Sequence, residues 1–169
     1  MAVNRRSDDW NADGLVIDDT NRRLLAELQD NARLSLAELG RRVGLSPPAV
    51  AERVQRLEQQ GVILGYRAEI DPRALGLSLG AVIRVRPAPG QLAGVAKVAQ
   101  DTPEIVDCRR VTGDDCYVMS AHVRDVEHLE EVIDYFVPLG QTTTSIVQSA
   151  PVPRRGLALG DQGLIAPIA

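Results

Sequence analysis

Apolar residues return at helical spacing three times in the first third of the chain, and at strand spacing in much of the second half. Leu24, Leu25 and Leu28 form a first stripe, which Asp18 or Asp19 can cap and which ends near Asn31. Leu36, Leu39 and Val43 form a second, bounded by Ser35 and Gly44. Ser35 and Glu38 have capping-box spacing, in which each side chain satisfies the other's free backbone N–H. Gly44 suits the left-handed residue that follows a helix. Val50, Val54 and Leu57 form a third stripe, at i, i+4 and i+7. Ser46 caps this helix, Pro47 takes its first position, where a missing N–H costs nothing, and Gly61 ends it.

The stretch LAELGRRVGLSPPAVAERVQRLEQQGVIL, residues 36–64, is thus two short helices around a tight glycine turn. That is the layout of a helix-turn-helix, whose second helix can be offered to a DNA groove. Val62 to Ile70 then alternates like a strand, broken by Gly65, and is expected to form a small wing. Asp71–Gly76, with Pro72 and Gly76, has the composition of a linker. Residues 1–14 are charged, lack periodicity and are expected to be a mobile arm.

The second half predicts strands over Leu79–Arg86, Ile105–Val111, Cys116–Val123 and Thr142–Ser149. A helix is expected over Gln91–Ala99, with Leu92, Val95, Ala96 and Ala99 in phase. Another is capped by Asp125, with Val126, Leu129, Val132, Ile133 and Phe136 on one face. The order strand, helix, strand, strand, helix, strand is that of a ferredoxin-like unit. Tyr117, Met119, Ala121 and Val123 should share one face of their strand, with Cys116 and Val118 on the other. Two helices cover only one face of such a sheet, so the partly apolar second face argues for a dimer. Counting back from the 112–115 turn sets Cys108 opposite Met119 or Ser120, away from Cys116, so no structural disulfide is expected.

Composition narrows the classes. At 169 residues the chain can hold one medium domain or two small ones. It is 44% hydrophobic but only 3% aromatic, so its cores must be aliphatic. The net charge of −4 is unlike a DNA binder, but distribution matters more than the sum. Between Asn31 and Arg67 six arginines (33, 41, 42, 53, 56, 67) face three glutamates (38, 52, 58), a local balance of +3. Cys108, Cys116, His122 and His128 lack zinc-site spacing. No apolar run approaches a membrane span, and Met1–Asp13 has no signal-peptide core. No metal or cofactor is expected, and the chain is read as soluble and cytoplasmic.

These motifs in this order resemble the Lrp/AsnC, or feast/famine, regulators over about residues 16–153. DDTNRRLLAELQDNARLSLAELGRRVGLSPPAVAERVQRLEQQGVILGYRAEIDPRALG is similar to the family's N-terminal winged helix-turn-helix and linker. VTGDDCYVM is similar to the glycine turn of its effector domain, and TTTSIV to that domain's last strand. The resemblance implies an α+β protein with a winged helix-turn-helix followed by a ferredoxin-like (βαββαβ) effector and oligomerisation domain. Its divisions are a flexible arm at 1–14, a DNA-binding domain at 15–70 and a linker at 71–78. A ligand-binding and oligomerisation domain follows at 79–153, then a loose tail at 154–169. It further implies homodimers that assemble into tetramers or octamers, promoter DNA as partner, a nucleoid association, and amino-acid effectors bound where dimers meet.

On this reading Ser46, Pro48, Ala49, Glu52, Arg53, Gln55 and Arg56 of the third helix, with Arg41 and Arg42, are the candidate DNA contacts. Arg53 and Arg56 suit phosphates or guanine edges. The plainer alternative is a solvated helix face with Arg56 bridged to Glu52 at i, i+4. Gly113, Asp114, Asp115, Thr142 and Thr144 are the candidate effector contacts. Gly113 permits a tight turn and a close backbone approach, and an aspartate can receive a ligand ammonium. Thr142 and Thr144 share one strand face, with Thr143 on the other; plain strand propensity is the alternative. The family pattern here is glycine, acidic residue, variable residue, aspartate. This chain carries Cys116 at the last of these, with Asp115 just before it.

Three functions compete. The first is a transcriptional regulator of near-palindromic sites whose DNA binding or assembly responds to a small effector. The second is a ligand-independent architectural DNA protein, with the same basic surface and no effector pocket. The third, an enzyme, finds no nucleophile–base set, phosphate loop or metal cluster in the sequence, so no catalytic residues are assigned.

Overall fold

A computed structural model describes residues 17–159. The chain divides after Arg67 and again after Pro153. Ala68–Pro153 forms one unit, and the described residues on either side form the other.

The first unit holds three helices, α1 (Asp19–Asp30), α2 (Leu36–Val43) and α3 (Pro47–Gln59). Each begins on a side-chain cap. Asp18 accepts the N–H of Asn21, Ser35 that of Glu38, and Ser46 that of Ala49. Only half of the capping box forms, because the Glu38 carboxylate accepts from Arg41 and Arg42 instead. Gly44, at φ 76°, turns the chain between α2 and α3. Leu24, Leu39, Val43 and Val50 are the buried core, with Leu28, Leu34, Leu45 and Val54 packed on it. Leu36 was expected in that core but is exposed. It is the first residue of a two-turn helix, beyond the packed stretch around Leu39 and Val43.

The expected wing does not form a strand: residues 62–70 are irregular. Gly61 (φ 68°) and Gly65 (φ 148°) break the extended run. The N–H groups of Val62 and Ile63 turn back onto the Leu57 carbonyl and are lost to any ladder. Beyond Pro153 the described residues form no helix or strand, but Leu157 is held against α1. Its N–H donates to Gln29 Oε1 at 2.6 Å, and its carbonyl accepts from Gln29 Nε2 at 3.1 Å.

The second unit follows a 3-10 turn at Pro72–Leu75. It runs β1 (Leu79–Pro87), α4 (Leu92–Asp101), β2 (Ile105–Arg110), β3 (Tyr117–Val123), α5 (Val126–Asp134) and β4 (Gly140–Ile146). The strands make one antiparallel sheet in the order β2-β3-β1-β4. This is the ferredoxin-like arrangement. Ala81, Ile83 and Val85 of β1 and Tyr117, Met119, Ala121 and Val123 of β3 face the helices. They close a core with Val95, Ala99, Leu129, Val132 and Phe136. Val126 was expected on the buried face of α5 but is exposed, and like Leu36 it is the first residue of its helix. Cys108 pairs with Met119 in the register, and both cysteines are free.

The opposite face of the sheet is partly apolar, as expected. Val82 and Val118 lie half-buried among Arg84, Ser120 and His122, with Arg86, Arg109, Thr143 and Ser145 more exposed around them.

Candidate nucleic-acid interface and effector site

The helix-turn-helix is built by a close approach. Gly40 of α2 lies so near the connecting turn that a Cβ there would stand 2.4 Å from the Leu45 carbonyl oxygen. The Leu45 N–H in turn donates to the Gly40 carbonyl at 2.9 Å. This clasp sets where α3 starts and so which of its residues face out. Ser46, Pro48, Glu52, Gln55 and Arg56 are exposed, Ala49 and Arg53 half-buried. Exposed side chains at 48, 52, 55 and 56 make a continuous ridge at i, i+3 and i+4 spacing.

The arginines differ in what holds them. Arg56 reaches Glu52 at 3.0 Å across an open surface, the pairing weighed as the plainer alternative. Such an exposed pair adds little stability and can open at small cost. Arg41 is 77% exposed and pairs with Glu38. Arg42 is held by Glu27 at 2.7 Å and Glu38 at 3.0 Å, and its carbonyl accepts from Arg23. Those contacts join α1 to α2. Arg53 turns inward: its Nη1 donates to Asp18 Oδ2 at 2.7 Å and to Asn21 Oδ1 at 3.0 Å. The Arg53 guanidinium, with the Asn21 N–H, holds the Asp18 carboxyl below its ordinary 3.8. Sequence reading missed Asp18, Asn21 and Glu27 as partners, because nothing local ties residues 15 to 35 positions apart.

In the second unit the residues expected around an effector lie on two sides of the sheet, the Gly113 turn at one end of it and Thr144 opposite Ile83 in the middle of β1. Gly113 sits at φ 105° in the turn between β2 and β3. Asp114 pairs with Arg86 at 3.1 Å, and Asp115 approaches Arg84 at 4.0 Å. Both arginines belong to the face without helices. Thr142 and Thr144 share the helix-covered face, as the register Ile83↔Thr144 shows, and Thr143 pairs with Arg84 on the other. β1 lies between β3 and β4, so about 10 Å of sheet separates the turn from the threonines. Cys116 is the only non-glycine residue at positive φ among the described residues, at 42°. The N–H of Tyr117 bonds the Asp115 carbonyl across it.

Of the two histidines, His128 has partners for its side chain. His128 is buried, Nδ1 accepting the Arg124 N–H at 3.4 Å and Nε2 lying 3.0 Å from Glu104. His122 is half-buried on the face without helices. Among the described residues no three His, Cys, Asp or Glu side chains are grouped to hold a metal. Nor, among them, is any helix long and apolar enough to cross a membrane.

Comparison with known proteins accounts for both units. The AsnC-type helix-turn-helix domain matches residues 17–58, and the Lrp/AsnC ligand binding domain matches residues 80–157. The HTH-type transcriptional regulator LrpC of Bacillus subtilis (strain 168) is 33% identical over 135 residues, 80% of this chain and 94% of that protein. The leucine-responsive regulatory protein of Escherichia coli (strain K12) is 37% identical over 123 residues, 71% of this chain and 75% of that protein. Among solved structures, the feast or famine regulatory protein Rv3291c from M. tuberculosis, complexed with L-methionine, superposes with a TM-score of 0.79. It is 32% identical, over 84% of this chain and 99% of that one. LrpC is a transcriptional regulator, and the other two are regulatory proteins.

Proposed function

Since the chain belongs to the Lrp/AsnC family of transcriptional regulators, we propose that it reads near-palindromic duplex sites as a homodimer or larger assembly gated by an amino acid. A helix-turn-helix unit and a ligand-binding unit in one chain carry this reading, because a regulator needs both a DNA reader and a receiver. The ridge of α3 enters the major groove. Gln55, with Ala49 and Pro48, faces base edges. Arg56 and Arg41 face phosphates, Arg42 joins them only by leaving Glu27 and Glu38, and Ser46 lies at a helix N-terminus that favours a phosphate oxygen. Glu52 releases Arg56 on binding and can accept from a cytosine amine.

The effector site uses the Gly113 turn with Asp114 and Asp115, completed by Thr142 and Thr144. Because the turn and the threonines lie on opposite sides of one sheet, our reading has the site close only where copies of the chain meet. Two relatives support an amino acid: one is leucine-responsive, and another was solved in complex with L-methionine. The ligand then acts by preferring one assembly over another, which changes which pairs of α3 helices reach DNA together.

Size-exclusion chromatography with light scattering, with and without each amino acid, tests this. A dimer or larger species whose mass or melting temperature shifts with one compound supports the proposal. A monomer indifferent to all of them sinks it. A DNA-binding oligomer that ignores every amino acid supports the ligand-independent architectural alternative instead.

A further inference from the structure

We propose that Arg53 is a positioning residue of the recognition helix, acting on DNA affinity through Asp18 and Asn21 and not by touching DNA itself. The inference rests on the reading of α3 as the DNA-contacting helix. Arg53 sits in the middle of α3, flanked by the outward-facing Glu52, Gln55 and Arg56, yet its Nη1 is directed to the start of α1. The Asp18 carboxylate serves two elements at once. Oδ1 accepts the Asn21 N–H at 2.7 Å and caps α1, while Oδ2 accepts from Arg53 at 2.7 Å.

A guanidinium is poorly placed beside a helix N-terminus, whose free N–H groups already carry partial positive charge. Asp18, standing between them, makes the arrangement favourable, so the three groups form one unit. The Gly40–Leu45 clasp fixes the beginning of α3, and the Arg53 latch fixes its rotation further along. A base-reading ridge needs both, since side chains must be held to about 0.5 Å and 10–20° of their working geometry.

The charges give the test its sign. If Asp18 were a bystander near a polyanion, removing its negative charge would strengthen DNA binding. If it holds Arg53, removing it weakens binding. The variants are Asp18→Ser, which keeps a capping oxygen, and Arg53→Met, which keeps the packed stem. The double variant and Arg56→Ala complete the set. Intact protein is titrated by fluorescence anisotropy against a labelled duplex enriched from a random-sequence pool on the wild type, at several KCl concentrations.

Asp18→Ser and Arg53→Met should each weaken binding by about three- to tenfold, the size expected of a half-exposed coupled pair. Their salt dependence should match the wild type, and the double variant should be no weaker than either single. Tighter or unchanged binding by Asp18→Ser overturns the proposal. So does a drop of about one in the salt slope for Arg53→Met, the mark of a lost phosphate contact. Unchanged binding by Arg56→Ala as well, or a wild type that enriches no duplex, means that the reading of α3 has failed.

Discussion

Replacing Gly40 with alanine should destabilise the helix-turn-helix unit although it puts a better helix former inside a helix. The new Cβ would stand 2.4 Å from the Leu45 carbonyl oxygen, where ordinary contact begins at 3.4 Å, so α2 and the turn must separate by about 1 Å. No side-chain rotation relieves this, because the obstructing atom is backbone. The displaced residue is also anchored: the Leu45 side chain packs on the core and the next residue caps α3. Overpacking of this kind costs about 1–3 kcal/mol, here toward the upper end. Alanine returns about 0.8–1 kcal/mol of helix propensity. The net loss is about 1–2 kcal/mol, or a fall of about 5–15 °C in the melting temperature of a unit this small. Thermal unfolding followed by far-UV circular dichroism reads it directly. Gly44→Ala is the control, since it meets nothing within 4 Å but sits at φ 76°, a strain of about 1–2 kcal/mol. A Gly40→Ala protein that melts at or above the wild type would refute the close-approach argument.

Other outcomes follow from the same geometry. Cys116→Asn should raise stability by about 0.5–1 kcal/mol, because asparagine tolerates the left-handed backbone at φ 42° better than cysteine does; urea midpoints check it, and a loss would contradict the strain. Arg56→Ala should lower DNA affinity and reduce the salt slope by about one, while Gln55→Ala should blunt discrimination between the selected duplex and scrambled ones; binding titrations separate the two. The Asp18 carboxyl is held below its ordinary 3.8, so its contribution is complete above that pH and fades as the pH falls through the lower folded value. Acid unfolding of wild type and Asp18→Ser should therefore diverge above that value and converge below it; parallel curves would show that the latch adds no stability.

What was legible in the sequence was local. Capping side chains at Asp18, Ser35, Ser46 and Asp125 marked the helix starts, because each bonds an N–H three residues on. Alternation found the four strands, and the turn count set Cys108 against Met119. The helical stripes misplaced Leu36 and Val126, since periodicity assigns a face but not how far along a helix the packing extends. The wing failed because alternation shows a readiness to pair and cannot supply a partner strand.

The candidate site was legible in outline. The exposed ridge of α3 came from phase alone. The inward turn of Arg53 did not, because its partners lie 32 and 35 residues away and an arginine between exposed neighbours reads as solvent-facing. Gly40 was missed for a related reason: only the approach of a distant backbone oxygen separates it from any other glycine in a helix. Thr142 and Thr144 were correctly set on one strand face, with Thr143 on the other. That this face is the helix-covered one needed the register.

The most direct test of an effector-gated regulator is a DNA-binding titration on the intact protein, with the selected duplex, in the presence and absence of each amino acid. The account predicts that one compound, or a narrow class, changes the apparent affinity by about 5- to 150-fold, the usual range of allosteric coupling. The same compound should raise the melting temperature of the protein without DNA. Tight duplex binding that no amino acid alters, with no thermal shift, would contradict it.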